Sequence, residues 1–152
     1  MEMTTLKHPE LVGLVMATID KILHAEKGKV LEAEGVKLHP SEIHLLLFLE
    51  DHPAVNATQI AQRFSVTKGA VSQTLTRLER KGVLIKGRNP GSQTELDLSF
   101  TEQGRKLMGR LLGMRRAAER YWDDHMGCVS EADRKAIRRF LEGMQARFPP
   151  GH

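Results

Sequence analysis

The spacing of apolar positions divides the chain into helices joined by short connections, with one two-stranded interruption. From Pro9 to Glu34, residues Leu11, Leu14, Val15, Ile19, Ile22, Leu23, Val30 and Leu31 recur mostly three and four apart, the repeat of one helix face. Pro9 suits a first helical turn and Gly35 a C-terminal stop, so this spacing predicts one long amphipathic helix. At ~1.5 Å per residue it would extend roughly 40 Å, more than a compact domain of this size covers with its own chain. Part of that stripe is therefore expected to meet another subunit. A second helix opens near Pro40, runs through IHLLLFLEDH and stops at Pro53, which lacks a backbone donor and turns its predecessor away from helical geometry. Its nearly unbroken apolar run predicts a central position.

The next segment is more closely punctuated. Asn56-Ala57-Thr58-Gln59 has a cap residue and, three positions on, the amide of a capping box. A short helix from Ala57 to Phe64 follows, with Ile60, Ala61 and Phe64 inward. Ser65-Val66-Thr67 is the turn, and Thr67 caps a helix from Lys68 to Lys81 that ends at Gly82 in the left-handed position. On a 3.6-residue wheel Val71, Leu75 and Leu78 form the buried side. Gly69, Ser72, Gln73, Thr76, Arg77 and Arg80 form the other, without a carboxylate. Val83–Ile85 and Leu96–Phe100 read as short strands joined by Gly87-Arg88-Asn89-Pro90-Gly91-Ser92. Thr101 caps a further helix, about Glu102 to Met126, with Leu107, Leu111, Leu112, Met114 and Ala118 on its apolar side. The last helix starts on Ser130-Glu131-Ala132-Asp133, and Ile137, Phe140, Leu141 and Met144 supply its stripe up to Phe148 and Pro149-Pro150. The expected fold class is mainly α, with a winged helix-turn-helix of three helices and a small antiparallel β-hairpin wing.

Charge changes the picture. Between Val55 and Thr94 stand seven basic residues (Arg63, Lys68, Arg77, Arg80, Lys81, Lys86, Arg88) and one acidic residue, Glu79, whereas the whole chain of 152 residues is only +4. The remainder carries 16 basic against 18 acidic side chains, so the basicity belongs to one segment. Such a field suits phosphate binding. One Trp and one Tyr leave little for stacking single-stranded bases, which favours duplex DNA as the partner. Gln73 can pair with adenine, Arg77 or Arg80 can reach guanine or a phosphate, and Ser72 and Thr76 can touch bases or backbone. Gly69 allows close approach. Thr67 and Lys68 open the same helix, the amides near Thr58 form a phosphate clamp, and Lys86, Arg88 and Gln93 belong to the wing. The competing view of Arg77, Arg80 and Lys81 is a solvated helix face.

Other classes fit less well. No run approaches the roughly 18 apolar residues of a membrane span, and MEMTTLKHPE lacks the pattern of a leader, so a cytoplasmic, nucleoid-associated protein with no membrane partner is expected. The lone Cys128 excludes an intrachain disulfide and a cysteine-rich zinc cluster, and reads as a small buried hydrophobe rather than a redox sensor. Seven histidines show no HxxxH spacing, so no metal is expected, with His39 at a helix N-terminus and His44 packed in the core. Met108, Met114, Met126 and Met144 are spaced as core or dimer packing. No phosphate loop, dinucleotide glycine motif or nucleophile elbow occurs, so neither an enzyme nor a cofactor is expected.

The order of these elements resembles the MarR family of bacterial winged helix-turn-helix transcription regulators over nearly the whole chain. The residues that carry the resemblance are the long first helix, His39-Pro40-Ser41-Glu42, the stretch ATQIAQRFSVTKGAVSQTLTRLERKGVLIK, a wing, and FTEQGRKL opening a long fifth helix. It implies a homodimer in which residues 1–37 and 101–152 form one intertwined helical dimerisation region, through Leu11, Val15, Ile19, Leu141 and Met144, and residues 38–100 form the DNA-binding domain. It further implies a repressor released by a small-molecule effector. The family usually carries Asp-x-Arg at the wing tip, whose Arg reaches the minor groove, and here the stretch is Gly91-Ser92-Gln93-Thr94. Either Arg88 or Lys86 then takes over the electrostatic part, or operator recognition depends more on the helix from Lys68 to Lys81.

Overall fold

The computed structural model describes residues 7–26, 29–87 and 97–147. In chain order these form α1 (Pro9–Glu26), β1 (Leu31–Ala33), β2 (Val36–Leu38), α2 (Pro40–Asp51), α3 (Ala57–Phe64), α4 (Lys68–Arg80), β3 (Leu84–Lys86), β4 (Leu98–Phe100), α5 (Glu102–Gly127) and α6 (Glu131–Arg147). The fold is a winged helix-turn-helix carried on long flanking helices. Its core joins Leu38 of β2, Leu45, Leu46 and Leu49 of α2, Ile60 of α3, Val71, Leu75 and Leu78 of α4, and Leu107 and Leu111 of α5. Central α2 is thus central because its apolar run meets neighbours on several sides, as its pattern predicts.

One element differs from expectation. The first helix stops at Glu26 instead of Glu34, and Leu31–Leu38 is an antiparallel hairpin with Leu31 opposite Leu38 and Ala33 opposite Val36. Its burial alternates, with Ala33, Val36 and Leu38 inward and Glu32 and Lys37 outward, the period of a half-buried strand. Glu34 and Gly35 make the two-residue turn at φ 51° and 73°, both in the left-handed region that such hairpin loops require. Gly35 ends a strand pair rather than a helix. The hairpin leans on the start of α5, where Gln103 Nε2 donates to the Glu34 carbonyl at 3.1 Å and Arg110 meets the Glu34 carboxylate at 3.4 Å.

The wing base is tied to α5 by a glycine. Strands β3 and β4 pair with Leu84 opposite Phe100 and Lys86 opposite Leu98. Thr101 then caps α5 by accepting from the Gly104 amide at 2.9 Å, while the Thr101 amide donates to the Val83 carbonyl at 3.1 Å. A methyl group at Gly104 would overlap that carbonyl oxygen. Because the obstacle is backbone, relief requires moving α5 away from the wing. Gly104→Ala is expected to cost about 1–3 kcal/mol or more of stability, by urea unfolding, despite alanine's better helix propensity.

Candidate nucleic-acid interface

Local capping sets the two helices of the motif. Asn56 and Gln59 satisfy one another reciprocally, each backbone amide donating to the other's side-chain oxygen at 2.9 Å, so α3 starts as the spacing predicts. It ends at Ser65, which takes a left-handed conformation at φ 52°, and the chain re-enters a helix at Thr67, whose hydroxyl accepts from the Ala70 amide at 3.1 Å. Val71, Leu75 and Leu78 are buried. That leaves Gly69, Ser72, Gln73, Arg77 and Arg80 exposed and Thr76 half-buried. Ser72, Gln73, Thr76, Arg77 and Arg80 line one open depression, which gathers the residues predicted to read bases.

Their hydrogen bonds show which groups remain available. Thr76 donates back to the Ser72 carbonyl at 2.9 Å and accepts from Lys86 Nζ at 2.6 Å. Lys86 also lies 3.6 Å from the Glu79 carboxylate, so this predicted wing cation stands against α4. Arg77 Nη2 donates to Thr74 Oγ1 at 2.8 Å. Among the described residues Arg80 and Lys68 make no ion pair, which leaves both cations free for phosphate. Thr58 is exposed in the first turn of α3 and Thr67 at the turn. Arg88 and Gln93 lie outside the described residues, as does the wing tip.

Lys81 is the correction to the charge count. Its ammonium points away from the exposed face, donating to both carboxylate oxygens of Glu42 at 2.8 and 2.7 Å and to the Lys37 carbonyl at 2.7 Å. Glu42 is fully buried. Burial pushes its carboxyl up, but the Lys81 hydrogen bonds, the His39 amide and the neighbouring positive charges outweigh burial and hold it below its ordinary value. Sequence reading missed this partner, although the capping spacing of His39 and Glu42 was a signal that the carboxylate faces the helix start.

Gly69 separates stability from approach. A methyl group there meets only Thr67 Oγ1 at 3.7 Å. Gly69→Ala is therefore expected to preserve or raise stability, by up to about 1 kcal/mol from helix propensity, and to weaken duplex binding if the backbone comes close to DNA. Thermal unfolding and anisotropy titration read the two effects separately.

Outside the motif the apolar side chains lose their cover. Leu11, Leu14, Met16 and Ile22 of α1, Met114, Tyr121 and Trp122 of α5, and Phe140 and Leu141 of α6 are exposed, while Val15, Ile19 and Met144 are half-buried. Helix α6 buries no residue. His44 is exposed, not packed in the core, because the buried side of α2 is taken by Glu42, Leu45, Leu46 and Leu49. Cys128 is likewise exposed, as the C-cap of α5. The flanking helices reach the motif through Arg115 and Asp51, paired at 2.7 and 3.2 Å; the Arg115 guanidinium beside it holds the Asp51 carboxyl below its ordinary value. No helix among the described residues is long and apolar enough to cross a membrane.

Known proteins are similar to this chain in sequence and in fold. The model of the MarR family matches residues 36–93, from the second strand into the wing. An HTH-type transcriptional repressor of Bacillus subtilis, MdtR, is 26% identical over 106 residues, 70% of this chain and 67% of that protein. An HTH-type transcriptional repressor of Mycobacterium bovis is 27% identical over 108 residues, 71% and 76% of the two chains. In fold, the chain is similar to Streptococcus pneumoniae FabT in complex with DNA, with a TM-score of 0.75 at 20% identity over 93% of this chain and 97% of that one. It is also similar to Lactococcus lactis ZitR in complex with DNA, with a TM-score of 0.72 at 16% identity over 95% and 99%.

Proposed function

This chain belongs to the MarR family of transcription regulators, and from that premise we propose that it is a homodimeric repressor that reads a pseudo-palindromic duplex with α4 in the major groove. The observation that carries the reading is the exposed side of α4, where Ser72, Gln73, Thr76, Arg77 and Arg80 converge. Amide, hydroxyl and guanidinium groups there match the hydrogen-bonding edges of base pairs and the phosphates beside them. MdtR is named a transcriptional repressor, and FabT and ZitR share the fold in complexes with DNA; both support the assignment.

Exposed apolar area supports the dimer. Helices α1 and α6 and the distal half of α5 carry large apolar side chains that their own chain does not cover, and contiguous patches of that kind mark association surfaces. A twofold pairing would hold two α4 helices about one duplex turn apart, ~34 Å, as two half-sites require. We extend the proposal to a small-molecule effector that releases the repressor by altering this spacing. The exposed pair Asp51–Arg115 joins α5 to the winged domain, and exposed ion pairs resist displacement weakly.

One titration tests the reading. The full chain, mixed with a duplex it has selected from a randomised pool, is followed by anisotropy over a series of salt concentrations and by sedimentation of the complex. Two chains per duplex and an affinity that falls steeply and linearly in log–log form against salt are expected. An affinity indifferent to salt, or one chain per selected duplex, overturns it.

A further inference from the structure

Glu42 is the one buried charged side chain among the described residues, and it stands behind the reading helix rather than on its exposed side. Its carboxylate gathers three elements. One oxygen accepts from the His39 amide at 2.8 Å and completes the first turn of α2. Both oxygens accept from Lys81 Nζ, and Arg77 Nε lies 3.8 Å from Oε1. The three N–H bonds of the Lys81 ammonium go to Oε1, Oε2 and the Lys37 carbonyl of β2, so none remains for phosphate.

We propose that Glu42 and Lys81 are positioning residues for DNA reading: the pair fixes the rotation of α4 about its axis and the direction in which Arg77 leaves it. The inference rests on the function proposed above. Lys86 of β3 holds Thr76 and Glu79 of α4 at the wing base, but toward the core α4 is attached by the packing of Val71, Leu75 and Leu78, which is apolar and non-directional, and such cores tolerate small shifts without unfolding. Base recognition does not tolerate them, because a bidentate contact is lost with a displacement of about 0.5 Å. The Glu42 carboxylate accepts from the His39 amide and from Lys81, and Lys81 also donates to the Lys37 carbonyl of β2, which adds direction toward α2 and β2. Arg77 and Lys81 are four residues apart at the end of α4, close enough for both side chains to approach the same carboxylate. With Nε turned toward Glu42 and Nη2 on Thr74, the Nη1 edge of Arg77 is the one left to face a base or phosphate.

The alternative is a pair that only stabilises the fold. Buried pairs can often be replaced by neutral side chains without loss of stability, which separates the two roles. In the full chain, Glu42→Gln with Lys81→Met removes both charges and keeps an acceptor for the His39 amide. Anisotropy would compare the duplex selected by the wild-type protein with an unrelated duplex of the same length, over a salt series, with thermal unfolding alongside. The double variant should remain folded and bind the unrelated duplex with unchanged affinity and salt slope. Its preference for the selected duplex should fall about tenfold or more, as expected when base contacts are misaligned. Should this variant fail to fold, Lys81→Arg keeps a cation against Glu42 at a different length, and the same loss of preference at constant slope is expected. A retained preference in the folded variant overturns the inference, as does a salt slope lowered by roughly 1.8, which would place Lys81 of both subunits on phosphate. A wild-type chain that prefers no duplex overturns the proposed function itself, which is a different result.

Discussion

Lys81→Met alone is expected to lower the unfolding free energy by about 3–5 kcal/mol at neutral pH, the usual cost of leaving one partner of a buried pair uncompensated. Glu42 is fully buried and Lys81 supplies two of its hydrogen bonds, so the variant keeps a carboxylate in the core without its counter-charge. Arg77, at 3.8 Å, is too distant to replace a hydrogen bond. The loss should depend on pH in a defined sense. In the wild-type protein burial raises the Glu42 carboxyl, and the Lys81, His39 and charge contributions together lower it by more, for a net decrease from 4.5. Its stabilisation is then present above 4.5 and lost as the pH falls through the lowered folded value. In the variant burial prevails, the folded value rises above 4.5, and the penalty disappears as the carboxyl takes up a proton. The two stabilities should converge as the pH is lowered from 7 to about 4, in urea unfolding at each pH. A constant difference across that range would show that lost packing, not the uncompensated charge, causes the destabilisation. Adding Glu42→Gln at neutral pH should recover much of the loss, a non-additivity expected of groups in direct contact.

The elements most legible in the sequence were those governed by local rules. Asn56 with Gln59, Thr67, Gly82 and Thr101 are caps whose partners lie within four residues or whose backbone demands are specific, and all four stand where their spacing places them. The inward sides of α3 and α4 were legible for the same reason, since a helix wheel needs only the helix. The hairpin from Leu31 to Leu38 was not. Its turn uses Glu34 at positive φ instead of the Asn or Asp that announces such a turn, and Val30 and Leu31 happen to continue a helical spacing from α1. A strand of three residues offers too few positions to decide between periods. The destinations of Lys81 and Lys86 were illegible for another reason. A charge count treats every cation as free, whereas Glu42, distant in sequence from Lys81, and Glu79 across the wing base engage these two. Residue type predicts His44 and Cys128 inside, whereas the packing of their helices leaves both exposed.

Arg80 is the neighbour of Lys81 in sequence, and the two should behave oppositely. Arg80→Ala with Arg77→Ala is expected to abolish most duplex binding while leaving stability within about 1 kcal/mol, because both side chains are exposed and the Glu42–Lys81 pair survives. In a homodimer each substitution counts twice. If all four removed guanidinium groups contact phosphate, the slope of log K against log salt should become shallower by roughly 3.6. A guanidinium that contacts a base contributes less to the slope and more to the distinction between selected and unrelated duplexes, about 1–3 kcal/mol for a bidentate contact to guanine. The single variants therefore assign the roles. Arg80, with no ion pair among the described residues, should act mainly through the slope, and Arg77, oriented by Thr74 and Glu42, mainly through the distinction. Unchanged affinity and slope in the double variant would remove α4 from the interface. Lys81→Met, measured under conditions where it is folded, should leave the slope intact. That contrast between adjacent cations distinguishes contact from scaffold: Arg80 acts on affinity without stability, and Lys81 on stability without neutralising a phosphate.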